Sequence, residues 1–247
     1  MAGTDSTTRL RVLAVGLVLA FGVLWVAPRY VLPVLHPALR RDRDAGALAP
    51  PPKPPDQGQW SFQRKQDGRP VSYDPCRTIH YVVRVGNGPL NGWSLVQEGV
   101  ERLSRATGLQ FVLDGPSDEV PQWDDVRDPA RPVFIGWADD RETDIWSHGG
   151  DVVGIGGSEI VRRPDGVEVF STGYVVLKPD NRLPPTFAVG ETEGSVLLHE
   201  LGHLVGLDHV GDDREMMHTR VSHFTGADYG PGDLRGLWEL GASQGCR

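Results

Sequence analysis

Residues 199–209 constrain the fold of this chain more than any other segment, because the spacing of their three histidines and of Gly206 is compatible with one local geometry. They read His-Glu-Leu-Gly-His-Leu-Val-Gly-Leu-Asp-His. His199 and His203 are four residues apart, so a helix places both imidazoles on one face, one turn from each other. Gly206 follows three residues later, and glycine commonly ends helices because it adopts positive φ without a Cβ clash. The pattern predicts a helix that stops at Gly206 and a chain reversal that brings His209 back towards the other two histidines.

Three converging histidines form a ligand set for one metal ion. Three protein ligands leave a fourth tetrahedral position open to water, which is typical of catalytic rather than structural zinc sites. Glu200 follows the first histidine, where its carboxylate can reach a zinc-activated water and act as general base. We therefore predict that His199, His203 and His209 bind Zn²⁺ and that Glu200 is the catalytic residue.

This segment resembles the metzincin zinc peptidases, whose pattern H-E-x-x-H-x-x-G-x-x-H is followed by a methionine turn. Its compact spacing is most similar to the matrixin-like branch, and the resemblance covers residues 70–247. Met216 and Met217 lie just downstream. The resemblance favours Met217 as the Met-turn residue, packed beneath the histidines without binding the metal. His218 comes next, and it is either a surface-loop residue or a further ligand or transition-state donor.

The remaining pattern predicts an α/β (α+β) fold. Strands are expected in the segments rich in β-branched or alternating apolar residues, at 78–85, 110–113, 132–137, 152–161 and 173–178. Helices are expected around residues 95–107, from residues 191–193 onward, and at 233–240. The metzincin resemblance implies that these elements form a twisted mixed five-stranded sheet with an active-site helix and a C-terminal helix. It also implies that one antiparallel edge strand, within 152–161, pairs with an extended substrate.

The amino-terminal part differs in composition from the rest. Residues 12–28 contain no charged residue, and such a run is at the short limit for a membrane span. We interpret residues 1–35 as a retained signal anchor, which predicts a single-pass protein of the cell membrane; the alternative is a cleaved signal peptide and a secreted protein. Residues 36–59 are rich in proline and are expected to form an extended linker. Residues 60–247 are then the catalytic domain, outside the cell.

The chain has two cysteines, Cys76 and Cys246, near the two ends of the predicted domain. A disulfide between them fits an oxidising compartment. Two unrelated thiols are an alternative. A third possibility is that Cys76 caps the zinc in a latent form, although the Arg-Cys-Gly context of the matrixin switch is absent around it.

These patterns predict a zinc metalloendopeptidase, a hydrolase acting on peptide or protein substrates outside the cell. The net charge of −8 argues against nucleic acid as the partner. One alternative is a zinc-bound, non-catalytic module that binds peptides or envelope polymers, but Glu200 argues against it because such a module needs no general base. Another is an amidase that cleaves cell-wall peptide. The sequence carries no signal for the oligomeric state.

Overall fold

The computed structural model describes residues 49–149, 152–179 and 182–247. Within them the strands are β1 Ser61–Phe62, β2 Lys65–Gln66, β3 Arg69–Pro70, β4 Ile79–Arg84, β5 Phe111–Pro116, β6 Val133–Trp137, β7 Gly154–Arg162, β8 Glu168–Leu177 and β9 Leu207–Asp208. The α-helices are α1 Gly92–Thr107, α2 Trp146–Gly149, α3 Glu193–Val205 and α4 Pro231–Leu240. Two short 3₁₀ turns lie at Asp125–Arg127 and Ala242–Gln244.

A five-stranded mixed sheet lies at the centre of the fold, in the order β5-β4-β6-β8-β7. The pairs β4–β5, β4–β6 and β6–β8 are parallel, whereas β7 runs antiparallel to β8 at one edge. The parallel β4–β5 pair is joined through α1, since parallel strands need a long crossover connection. The predicted fold class, with its mixed sheet and antiparallel edge strand, is therefore confirmed.

The helix that carries the histidines is buried on all sides. Every residue of α3, from Glu193 to Val205, is buried, and the helix packs against α1, β7 and β8. It begins at Thr192, whose side chain accepts a hydrogen bond from the Ser195 backbone N–H at 3.0 Å. The Ser195 hydroxyl accepts one in return from the Thr192 N–H at 2.9 Å, which completes a capping box. Packing and capping together fix the position of α3 on the sheet.

A second, smaller apolar cluster covers the opposite face of the sheet. Strand β4 alternates between buried and half-buried residues, because successive side chains point to opposite faces. The second cluster includes Phe134, Ile145, Trp146 and Val176. The sheet is thus covered on both faces. Its two edge strands, β5 and β7, are the places where another chain segment could pair with it.

The end of the segment predicted to be a linker lies against α4. The Trp238 indole N–H donates to the Pro51 carbonyl oxygen at 3.0 Å. Asp56 and Arg235 form an ion pair at 2.8 Å. The predicted domain boundary at residue 60 stays a prediction. Pro51 and Asp56, which precede that boundary, contact α4.

The predicted membrane location needs a correction. Of the helices in the described residues, none is long and apolar enough to cross a bilayer, which contradicts the transmembrane helix and the single-pass location predicted from sequence. The physical requirement is about 20 mostly apolar residues, whereas α1 has 16 residues and is amphipathic. Residues 12–28, on which the prediction rested, lie outside the described residues.

Candidate active site

The imidazoles of His199, His203 and His209 converge on one point. Their Nε2 atoms form a triangle in which each pair is 3.1 Å apart. The first two histidines occupy consecutive turns of α3, and the third follows β9. These three residues could together hold one metal ion.

The chain reversal that supplies the third histidine depends on Gly206 and on an amino-terminal strand. Gly206 has a φ of 111°, and a Cβ at this position would lie 2.9 Å from the Phe170 ring. Beyond it, β9 pairs antiparallel with β1, and the Gln63 N–H donates to the Gly206 carbonyl oxygen at 3.0 Å. The sequence predicted that the helix stops at Gly206 and that the chain then turns back. It did not indicate that residues 61–63 would hold the returning segment in place.

Backbone carbonyls orient two of the three rings. His199 Nδ1–H donates to the Met216 carbonyl oxygen at 2.8 Å, and His203 Nδ1–H donates to that of Leu207 at 2.9 Å. The side-chain amide of Gln63 lies 3.1 Å from the same His203 nitrogen. A proton on Nδ1 leaves each Nε2 with its lone pair directed towards the centre of the triangle.

This donor set fits a metal ion. Lone pairs of nitrogens 3.1 Å apart, with no proton between them, repel each other unless a cation lies among them. Two nitrogens at about 2.0–2.1 Å from one tetrahedral zinc ion are about 3.3–3.4 Å apart, which is close to the observed spacing. The carbonyl partners of His199 and His203 are the kind of outer contacts that fix the tautomer of ligand histidines.

Burial keeps the histidines in the neutral form that binds metals. It lowers the pKa of His199 to about 3, and the neighbouring His203 lowers it further by charge repulsion. Burial likewise lowers the pKa of His203 to about 4. The pKa of the more exposed His209 is also lowered, mainly by burial. All three are therefore ready to act as ligands at neutral pH without first losing a proton.

Glu200 lies on α3 next to the first histidine and faces β7. Burial raises the pKa of its carboxyl to about 8, and a hydrogen bond from the Gly156 backbone N–H opposes that rise. A divalent cation held by the three Nε2 atoms would favour the ionised carboxylate. Glu200 is therefore a buried carboxylate whose proton affinity depends on the charge of the site.

The two methionines contact the histidine helix in different ways. Met216 supplies the carbonyl oxygen that accepts from His199. Met217 is buried, and its Sδ lies where a side chain on Gly202 would be. Gly202 directly precedes His203, so Met217 packs against α3 beside this histidine. His218 is half-buried, and its Nδ1 lies 3.0 Å from the Arg220 carbonyl oxygen.

Two buried carboxylates that the sequence did not single out hold this methionine turn on α4. Asp233 accepts hydrogen bonds from the backbone N–H groups of Met216 at 2.5 Å, Met217 at 3.2 Å and Gly230 at 2.9 Å. Glu215 accepts from the N–H groups of residues 232 and 233 at the helix start. Burial raises the pKa of Asp233 to about 7. The signal available beforehand was an acidic residue in the first turn of α4, which is common in helices generally.

The two cysteines are joined to each other. Cys76 and Cys246 form a disulfide with a Cα–Cα distance of 5.2 Å. Both sulfurs are bonded in this way, so Cys76 is not placed as a cap on the histidine cluster.

Comparison with known proteins gives a distant likeness among the solved structures. No family model matches the chain, and no curated protein matches it. Among solved structures, it is similar to the crystal structure of metalloproteinase-II from Bacteroides fragilis, with 13% sequence identity and a TM-score of 0.39. The match covers 74% of this chain and 58% of that chain, so this chain spans little more than half of that structure. The function proposed below rests on the residues of this chain.

Proposed function

We propose that this chain is a zinc-dependent endopeptidase of the metzincin type, similar to the matrixin-like branch. The observation that carries the proposal is the triangle of three Nε2 atoms with 3.1 Å sides. His199, His203 and His209 are the proposed zinc ligands, and Glu200 is the proposed catalytic residue. Met217 is the proposed Met-turn residue.

The chemistry follows from the position of Glu200. Zinc, when bound, polarises a carbonyl group and makes a bound water more acidic. The Glu200 carboxylate takes the proton of the attacking water while the water oxygen bonds to the peptide carbonyl carbon. As the C–N bond breaks, Glu200 delivers that proton to the leaving nitrogen. The products are a carboxyl group and an amine, and the protonation state of Glu200 is restored.

Strand β7 is the proposed binding edge for an extended peptide. In the described residues it pairs with β8 alone, on one side. Its residues Gly154 and Gly156 lie directly against Glu200. A peptide that adds to this edge by backbone hydrogen bonds therefore runs past the metal ligands. This arrangement supports cleavage within a chain rather than at a terminus.

We further propose that the domain works outside the cytoplasm. The disulfide between Cys76 and Cys246 supports this location, because such bonds persist in oxidising compartments. Peptides or proteins in that compartment are the proposed substrates.

The first test is metal content. We expect the purified protein to carry about one zinc ion, and His199→Ala, His203→Ala and His209→Ala each to lose most of it. His223→Ala is the matched control, since His223 is exposed and outside the cluster. Full zinc occupancy in all three ligand variants would overturn the assignment.

The second test is hydrolysis of a diverse peptide library by the zinc-loaded protein. The Glu200→Gln variant should keep its zinc and its native fold. Its rate of peptide hydrolysis should fall by about 10²–10⁴-fold, because the substitution removes the general base. Glu191→Gln, at an exposed glutamate just before α3, should cleave at the wild-type rate. A wild-type protein that binds zinc but cleaves no library peptide would refute the peptidase proposal and favour a binding module.

A further inference from the structure

Strand β7 lies close to α3 near the start of the strand. Its first residues read Gly-Ile-Gly-Gly, from 154 to 157. A Cβ placed on Gly154 would lie 2.8 Å from both Cγ and Oε1 of Glu200, and 2.9 Å from Cγ1 of Val196. Carbon atoms in favourable contact are about 3.5–4.0 Å apart, so any side chain at 154 would occupy space now filled by Glu200 and Val196.

The neighbouring Gly156 makes the same approach to the backbone of Glu200. A Cβ on Gly156 would meet the Glu200 carbonyl oxygen, and the Gly156 N–H donates to the Glu200 carboxylate. In the described residues, positive φ occurs at other glycines but not at Gly154 or Gly156. The backbone conformation therefore does not require glycine at these positions. Glycine is required because there is no room for a side chain between β7 and α3.

We propose that Gly154 is a positioning residue for Glu200. Its missing side chain leaves the room in which the Glu200 carboxylate is held, and the Gly156 N–H orients that carboxylate from the same strand. The catalytic consequence rests on the proposed role of Glu200 as general base. The strand that offers its edge to the peptide is thus also the strand that sets the position of the base.

The perturbation is Gly154→Ala in the full chain. Restoring ordinary contact distance requires the Glu200 carboxylate to move by about 1 Å. Misplacement of that size can cost on the order of 10²-fold in rate. We expect kcat to fall to that extent on the best peptide found for the wild-type protein, with KM changed less than about twofold and zinc content unchanged.

Two companion variants separate positioning from a general packing defect. Gly157→Ala is on the same strand, and its Cβ would have its nearest contact with the Tyr174 hydroxyl at 3.5 Å, an ordinary distance. A crystal structure of this variant should therefore show the Glu200 carboxylate at its wild-type position. Val196→Ala combined with Gly154→Ala removes the clash with Val196 but keeps the clash with Glu200. The combined variant should therefore fold at least as well as Gly154→Ala and remain impaired in kcat.

Crystal structures of the zinc-loaded wild type, Gly154→Ala and the combined variant test the proposal independently of activity. A carboxylate displaced in both variants, with the Nε2 triangle intact, supports it. A carboxylate at its wild-type position, or a combined variant with wild-type kcat, overturns it. Displacement of the carboxylate in a protein whose wild type cleaves no peptide would support the positioning of Glu200 by Gly154 and refute the endopeptidase function.

Discussion

Removing the disulfide should destabilise the domain without releasing the metal. Cys76 and Cys246 are 170 residues apart in sequence, so the bond closes a loop that includes nearly the whole domain. In the chain-entropy account, a loop of that length corresponds to about 5 kcal/mol of stabilisation, and measured losses for removed native disulfides are about 2–5 kcal/mol. The residues on either side are also tied locally, since the Arg247 N–H donates to Asp74 at 3.2 Å.

The assay is thermal and urea unfolding of a variant carrying both Cys76→Ser and Cys246→Ser. At about 2–4 °C per kcal/mol for a domain of this size, the melting temperature should fall by roughly 5–20 °C. Zinc content at neutral pH should stay at the wild-type value, because the proposed ligands are histidines. Reducing agent should lower the melting temperature of the wild type and leave the serine variant unaffected.

Two results would refute this reasoning. One is a non-reducing peptide map in which both thiols are free. The other is loss of zinc in step with reduction of the disulfide, which would show that a cysteine takes part in metal binding.

Three further predictions concern the support of the site. Asp233→Ala should destabilise the domain by about 3 kcal/mol or more in urea unfolding, since it leaves three N–H groups of the methionine turn and helix start without their acceptor; an unchanged midpoint would contradict it. Zinc affinity, measured by chelator competition, should change little from pH 7.5 to 5.5 and fall steeply near pH 4. The reason is that the lowered pKa values of His199 and His203 keep both rings unprotonated until the pH is that low. A steep loss near pH 6.5 would show histidines with ordinary pKa values. Gly202→Ala should weaken zinc binding by displacing Met217, and wild-type affinity would argue against a packing role for that methionine.

Most elements were predictable from the sequence because their signals are local. The helix stop at Gly206 and the buried strands at 79–84 and 133–137 fall where spacing and alternation placed them. The start of β8 was not predictable. It begins at Glu168, five residues before the expected start at 173, because pairing with Arg162 of β7 extends it. Helix α4 likewise begins at Pro231 rather than 233, with proline in the first turn, where its missing N–H is tolerated.

The sequence by itself determined the relative geometry of His199 and His203, since this depends on helix pitch alone. It could not determine what surrounds that geometry. The Gln63 amide reaches His203 across 140 positions of sequence, and Gly154 makes room for Glu200 from another strand. Such contacts arise only when the sheet, α3 and α4 pack together, because distant segments are brought into contact by burial of the whole core rather than by local backbone preference.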